Sequence, residues 1–233
     1  ALLLLLTREP EPTTVDEAVT TFREELAGRA PVDTPVPEGV YVYATDGYET
    51  TDALTGVTIS YPPRSTITIT RADCGFTMRW DVTAGRSTTW TICTGGDGWE
   101  LASQDERHTF FGRTERTTYR CADTPFRPLV LDPGVVFTVR CSTGASEERG
   151  SGRVVGREDL RVGADEIDVV KIRRTTRLTG ATRGETSHVV WLSRAGVPAQ
   201  LVLTTRTAND APIGEVGYEE EVSLLLESLE PRR

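Results

Sequence analysis

Four cysteines and two histidines are the side chains of this sequence best suited to redox, metal or nucleophilic chemistry. Cys74, Cys93, Cys121 and Cys141 are even in number, and no pair stands in C-x-x-C spacing. A zinc site usually draws two ligands from one tight turn, so the spacing argues against zinc. The histidines, His108 and His188, are too few to complete a Cys/His ligand set. Two disulfides are the better use of the cysteines, and they imply an oxidising compartment. No metal and no cofactor is expected.

No catalytic signature stands in the chain. G-x-S-x-G, H-E-x-x-H, S-x-x-K, the P-loop and G-x-G-x-x-G are all absent from the sequence. His108 lies in the run His108-Thr109-Phe110-Phe111-Gly112. As a general base it would need an oriented nucleophile and a third group, and the sequence singles out neither. A structural histidine on a strand is the expectation for His108 and for His188. In Glu219-Glu220-Glu221 only the outer two share a strand face, so the run reads as a solvated face and not as a hydrolytic pair. Asp46-Gly47-Tyr48-Glu49 and Gly95-Gly96-Asp97-Gly98 lack the ordered carboxylates of a calcium loop. Trp80, Trp90, Trp99 and Trp191 read first as core residues, with a carbohydrate or lipid contact as the second use.

Charge removes another class. Thirty-five acidic residues against 26 basic ones give a net charge of −9. A nucleic-acid binder needs a dense basic face, and pairs such as Arg173-Arg174 and Arg232-Arg233 do not make one. Of the 26 basic residues only Lys171 is a lysine, a bias of GC-rich coding. The opening run Ala1-Leu2-Leu3-Leu4-Leu5-Leu6 is too short to span a bilayer, which needs about 20 apolar residues. It is expected to be the end of a truncated membrane anchor or signal segment, tethering an extracellular or cell-envelope protein to the membrane.

The elements that would position these residues are mostly strands. The 37% apolar content suits a folded core, and abundant Thr and Val favour β structure. One helix is expected over 14–27. Thr14 and Glu17 have capping-box spacing, Val15, Ala18, Val19, Phe22 and Leu26 share a face, and Gly28 ends it. Residues 7–37 thus read as linker, helix and Pro-rich connector, and 38–233 as one disulfide-stapled β domain. Turn signals recur without βαβ alternation. The expected architecture is a mostly β, strongly twisted antiparallel sheet or partly closed barrel, with a two-sheet β-sandwich as the alternative. The hairpin Phe76–Val82, Ser87–Cys93 turns about Ala84 and sets Cys74 opposite residue 94, with a bulge at Gly75 expected to absorb the one-residue slip to Cys93. The expected bridges are therefore Cys74–Cys93 and Cys121–Cys141. Each closes a loop of about 20 residues, worth ~3 kcal/mol in the chain-entropy model.

The later strands break the alternation of a one-sided sheet. Val169-Val170, Val189-Val190-Trp191-Leu192, Leu201-Val202-Leu203 and Leu224-Leu225-Leu226 are apolar on both faces, so something must cover both. The rhythm Val155-Gly156-Arg157-Glu158, Val162-Gly163, Val169–Ile172, Val190–Ser193 and Gly196-Val197-Pro198 resembles exported β-rich domains, including uncharacterised actinobacterial membrane-anchored or secreted ones. It is similar in pattern to bacterial lipoprotein-carrier folds, in which a curved sheet with a helix at its mouth holds acyl chains. The resemblance covers residues 153–229, and a lipobox cysteine is absent from the sequence. Three functions follow as expectations. The first is a non-enzymatic envelope protein holding a lipid or other apolar small molecule in a pocket at Trp191, Leu201, Leu203 and Leu225. The second is a structural or protein-interaction ectodomain whose partner is another envelope protein. The third is a hydrolase with an unrecognised site.

Overall fold

The computed structural model describes residues 11–28, 36–53, 56–95, 98–110, 113–122, 125–126, 132–211 and 214–233. The expected anchor segment 1–6, and residues 7–10 and 29–35 of the linker and connector, lie outside them.

Helix α1 (Val15–Leu26) starts where its caps put it. The Thr14 hydroxyl accepts from the Glu17 N–H at 3.2 Å, and Glu17 accepts from the Thr14 N–H at 2.8 Å, so two free donors are satisfied reciprocally. Twelve residues cannot hold a helix in water without packing. The packing comes from Ala18, Val19 and Phe22, which bury against Val40.

Val40 lies on β1 (Gly39–Thr51), the first strand of a closed ring. β2 (Val57–Ser60) and β3 (Arg64–Ala72) both run antiparallel to β1 on the same side, interrupted by Tyr61-Pro62-Pro63. β4 (Gly75–Thr83), β5 (Arg86–Gly95), β6 (Gly98–Phe110) and β7 (Arg113–Cys121) follow as a meander. The short β8 (Pro125–Phe126) pairs with β6 beyond the end of β7. β9 (Val136–Ser142), β10 (Ser146–Val162), β11 (Asp165–Gly180), β12 (Thr182–Ser193), β13 (Pro198–Ala211) and β14 (Gly214–Leu226) complete the meander. β14 then pairs back on β1, from Tyr43 against Leu226 to Thr51 against Tyr218. Among the described residues the architecture is a closed, twelve-stranded antiparallel barrel, with β2 and β8 as short additions. Closure goes one step beyond the expected partly closed barrel, and it excludes the sandwich.

Pairing assigns each side chain a side. Tyr41, Ile67, Trp80, Thr88 and Glu106 follow one another across β1, β3, β4, β5 and β6 on the inner face. The outer face carries exposed Arg173, Arg177 and Glu185. A lipid-spanning barrel shows the reverse, with apolar residues outside. No helix among the described residues is long and apolar enough to cross a membrane.

The doubly apolar strands find two covers. Inward residues such as Leu201 and Leu224 enter the lumen core. Outward Trp191, Val189 and Val202 pack with Leu160, Val162, Ile167 and Val169 from the far end of the β10–β11 hairpin. That hairpin runs past the last β12 pairing and brings Gly163 against the Glu227 carbonyl. α1 is not the cover: it packs on the outer face of β1 and β3.

The disulfides join Cys74 to Cys93 and Cys121 to Cys141. Gly75 pairs directly with Cys93 and has no bulge; its missing Cβ would fall 2.2 Å from the Ile92 carbonyl oxygen. The irregularity in this hairpin sits between Asp81 and Thr83 instead. Cys74 stands in the turn just before β4, opposite Thr94, whose N–H donates to its carbonyl at 2.7 Å, so the bridge to Cys93 is diagonal and spans the one-residue offset without a bulge. Cys121–Cys141 spans the thinnest seam of the wall, where β7 and β9 share only the pairs Arg120–Ser142 and Cys121–Cys141.

Two outcomes follow from this packing. Phe22 is 2% exposed, so Phe22→Ala should cost about 3–5 kcal/mol. In thermal unfolding that is a fall of roughly 6–20 °C for a domain of this size; an unchanged melting temperature would mean α1 does not belong to the barrel's cooperative unit. Replacing Cys121 and Cys141 together by serine should cost ~3 kcal/mol and raise hydrogen exchange first at the β7–β9 seam. Equal loss of protection throughout the ring would contradict a local seam.

Candidate ligand cavity and the charged lumen

The lumen divides into an apolar lower part and a charged upper part. The lower end is sealed. The turn after β12 sets Gly196, at φ 78°, beneath Trp99, where a Cβ would meet the indole at 2.5 Å and Val36 at 3.0 Å. Phe76 packs edge-on to Trp99 at 5.0 Å, and the Tyr43 hydroxyl donates to the Pro198 carbonyl at 2.7 Å.

Above this floor lies a cavity of about 140 Å3. Ile67, Trp90, Phe137, Ile172, Val190 and Leu201 are among its apolar walls, brought in from six strands. Trp90 is held in place by donating its Nε1–H to Gln104 at 3.0 Å. Two polar side chains also line the cavity, Arg174 and His188, which face each other across β11 and β12. Arg174 donates to Glu148 at 3.3 Å, and Thr176 donates to the same oxygen at 2.5 Å. Burial, and then the Arg174 charge, holds the His188 imidazole far below the ordinary histidine range, so it is neutral.

The upper lumen is organised around Arg86. Its guanidinium donates to both oxygens of Glu220 at 3.1 Å and lies 5.6 Å from the Trp80 ring centre. Glu49 faces Glu220 in register across β1 and β14. Tyr61 donates to Glu220 and, at 3.4 Å, to Glu49, and Tyr218 donates to Glu49 at 3.1 Å. Burial raises the Glu49 carboxyl above its usual range, with Arg86 opposing and Glu220 adding to the rise. Burial likewise raises Glu106, which accepts from Gln104 at 2.6 Å. His108 Nδ1 stands 4.0 Å from Glu49, but burial first and the Arg86 charge second push the imidazole down to about 2. The pair is therefore a polar contact and not an ion pair. Glu49 and Glu220 are 5% and 2% exposed, so neither faces the open cleft that hydrolysis between two carboxylates requires.

The residues named from the sequence do not sit together. Leu201 lines the cavity, and Leu203, also inward, pairs with His188. Trp191 faces outward, donates to Glu158 and lies 4.6 Å under the Lys171 ammonium. Leu225 is 38% exposed, while its neighbours Leu224 and Leu226 point in. Glu219 and Glu221 are on the outside, bonded to Arg206 at 3.0 and 3.3 Å. The reading of Glu219-Glu220-Glu221 as a solvated face holds for the outer two and fails for Glu220, which is buried, and the sequence singled out no role for Arg86, Arg174 or Glu148. For Glu220 a signal existed: if the outer two glutamates face solvent, the middle one must enter the lumen.

No protein-family model matches the chain, and no curated protein matches it. Among solved structures it is similar to the hypothetical lipoprotein YmcC from Escherichia coli K12, with a TM-score of 0.38 and 12% identity over 93% of this chain and 98% of that one. A likeness of that size carries no argument about function, and it does not bear on an actinobacterial source.

The lumen charges give opposite pH slopes. A histidine kept neutral to about 2 in the fold binds its proton near 6.5 when unfolded. Its contribution to stability is present above that pH and is lost as pH falls through the window between the two values. Glu106, raised in the fold, contributes below its ordinary 4.5 and loses that contribution as pH rises. Urea unfolding should therefore show the advantage of His108→Gln over the parent growing as pH falls from about 7 to 4. The advantage of Glu106→Gln should grow as pH rises from about 5 to 8. Parallel pH profiles for both variants and parent would contradict these assignments.

Proposed function

We propose that this protein is an exported, non-enzymatic barrel that holds a small apolar ligand, or the apolar end of a larger one, in its lower lumen. The observation that carries the reading is the cavity of about 140 Å3, lined by apolar side chains from strands all round the barrel. Well-packed cores leave few voids larger than a water molecule. A cavity of roughly 150 Å3 takes up benzene, whereas sites for drug-sized ligands measure about 300–1,000 Å3. The size therefore favours an aromatic ring or a chain end over an entire lipid. The disulfides support export, because such bonds persist in oxidising compartments.

The interaction-ectodomain reading has one observation in its favour. Val135, Val136 and Val155 are 39%, 54% and 45% exposed where the start of β9 meets the irregularity in β10.

Toluene titration, followed by calorimetry and by Trp90 fluorescence, tests the ligand reading. Saturable binding is expected in the parent protein. It should be lost in Leu201→Trp, which fills the cavity, with the melting temperature checked alongside. No saturable heat in the parent, or unchanged binding in Leu201→Trp, would remove the ligand reading and leave the interaction domain.

A further inference from the structure

The outer face of β9, β10 and β11 gathers charge of one sign. Register places Arg140 beside Arg149 and Arg149 beside Arg177, and further along the strands it places Arg153 beside Arg173. Thr138, Ser151 and Thr175 lie between the two arginine rows, and no carboxylate stands at these outward positions. Glu147, at the border, accepts from Arg140 at 3.2 Å and pairs with Arg149 at 2.6 Å. Arg153, Arg173 and Arg177 are exposed, with no bonded carboxylate among the described residues. No run in the sequence announces the patch, because Arg173 faces out while Arg174 faces the lumen.

Like charges directly opposite one another weaken a sheet. The same row takes the other arrangement where it continues over β12, β13 and β14. There Arg177, Glu185, Arg206 and Glu219 alternate in sign, and Arg206 donates to Glu219 at 3.0 Å. In a chain of net charge −9, a wall of unpaired arginines does nothing for folding. It suits a surface of opposite charge.

Apolar residues border the patch. Val136 pairs with Arg153, Val135 precedes Val136, and Val155 is left unpaired where the register shifts in β10. All three are exposed. α1 leaves this wall uncovered, since it packs on β1 and β3 across the ring. A dissolved polyanion is held by charge alone. A bilayer offers phosphates above an apolar layer, and binding there grows with both cationic charge and inserted apolar area.

We propose that this face docks the barrel on an anionic membrane surface, with the arginines on lipid phosphates and Val136 and Val155 in the headgroup layer. The proposal is independent of the cavity reading: it concerns where the barrel sits and not what it holds.

Sedimentation of the full chain with vesicles tests it. Vesicles of equal parts phosphatidylglycerol and phosphatidylcholine should bind the protein far more tightly than phosphatidylcholine alone. Arg153→Gln, Arg173→Gln and Arg177→Gln together should weaken partition about a hundredfold, roughly fivefold for each charge. Val136→Ser with Val155→Ser should weaken it too, while leaving retention on heparin unchanged. Arg183→Gln with Arg206→Gln, on the alternating part of the sheet, should leave partition as in the parent. The triple variant should melt no lower than the parent, since it relieves repulsion. Equal binding to both vesicles assigns attachment to another part of the chain and overturns the proposal. So does unchanged partition in the triple or the valine variant, an equal loss in the Arg183 and Arg206 variant, or a lowered melting temperature in the triple variant. Retention on heparin without binding to anionic vesicles overturns it in favour of a dissolved polyanion.

Discussion

The pairing of β14 with β1 joins the last strand of the chain to the first, and most of the structure answers to that closure. A sheet closed on itself has no edge to protect, but its inner face cannot reach bulk water freely. Every inward residue must then be packed, paired or kept uncharged. The chain ends reinforce the join. Val40 bridges Arg232 beside the seam, and Arg23 of α1 donates to the Arg233 carbonyl at 2.7 Å. The opposite weak point, between β7 and β9, has two residue pairs and a covalent bond.

Within the ring, the polar groups follow from the same constraint. Arg86 and Glu220 are bonded through both carboxylate oxygens, with Tyr61 as a further donor. Buried pairs of this kind gain little over apolar packing, because desolvation offsets the attraction. Removing one partner is a different matter, since the other charge is left uncompensated. Glu49 and Glu106 register the same constraint: burial raises both carboxyls above their usual range, with the Arg86 charge opposing the rise. The charged region and the apolar cavity meet at Arg174 and His188, and both are partly exposed.

How much of this was legible in the sequence depends on lumen polarity. Strand segments facing the apolar floor read clearly: Ile67 and Ile69 alternate with threonines, and Phe76, Met78, Trp80 and Val82 do so across the next strand. Segments lining the charged part carry no such signal. β6 runs from Gly98 to Phe110 through Ser103-Gln104-Asp105-Glu106, which is polar on both faces. β10 likewise begins with the polar stretch Ser146–Gly152. The capping box of α1 is local chemistry and was legible in full. Of the four residues named for a pocket, Leu201 alone lines the cavity, and Leu203 faces inward beside His188. An apolar triplet such as Leu224-Leu225-Leu226 does not say which member points inward; register does, and register is set by the neighbouring strand.

Access to the cavity bears on what the cavity can hold. The floor is closed by Trp99, Gly196 and Val36, and among the described residues the ladder is continuous through β10, β11, β12, β13, β14 and β1. Above the cavity the lumen is occupied by Arg86, Glu49 and Glu220, which are 4%, 5% and 2% exposed and held by hydrogen bonds with Tyr61 among their donors. Anything exchanged past them must separate groups committed to one another, and a buried charge left without its partner is costly. Exchange through the upper lumen is therefore coupled to opening of that charged cluster, and the bonds that stabilise the closed ring are the same ones that restrict entry.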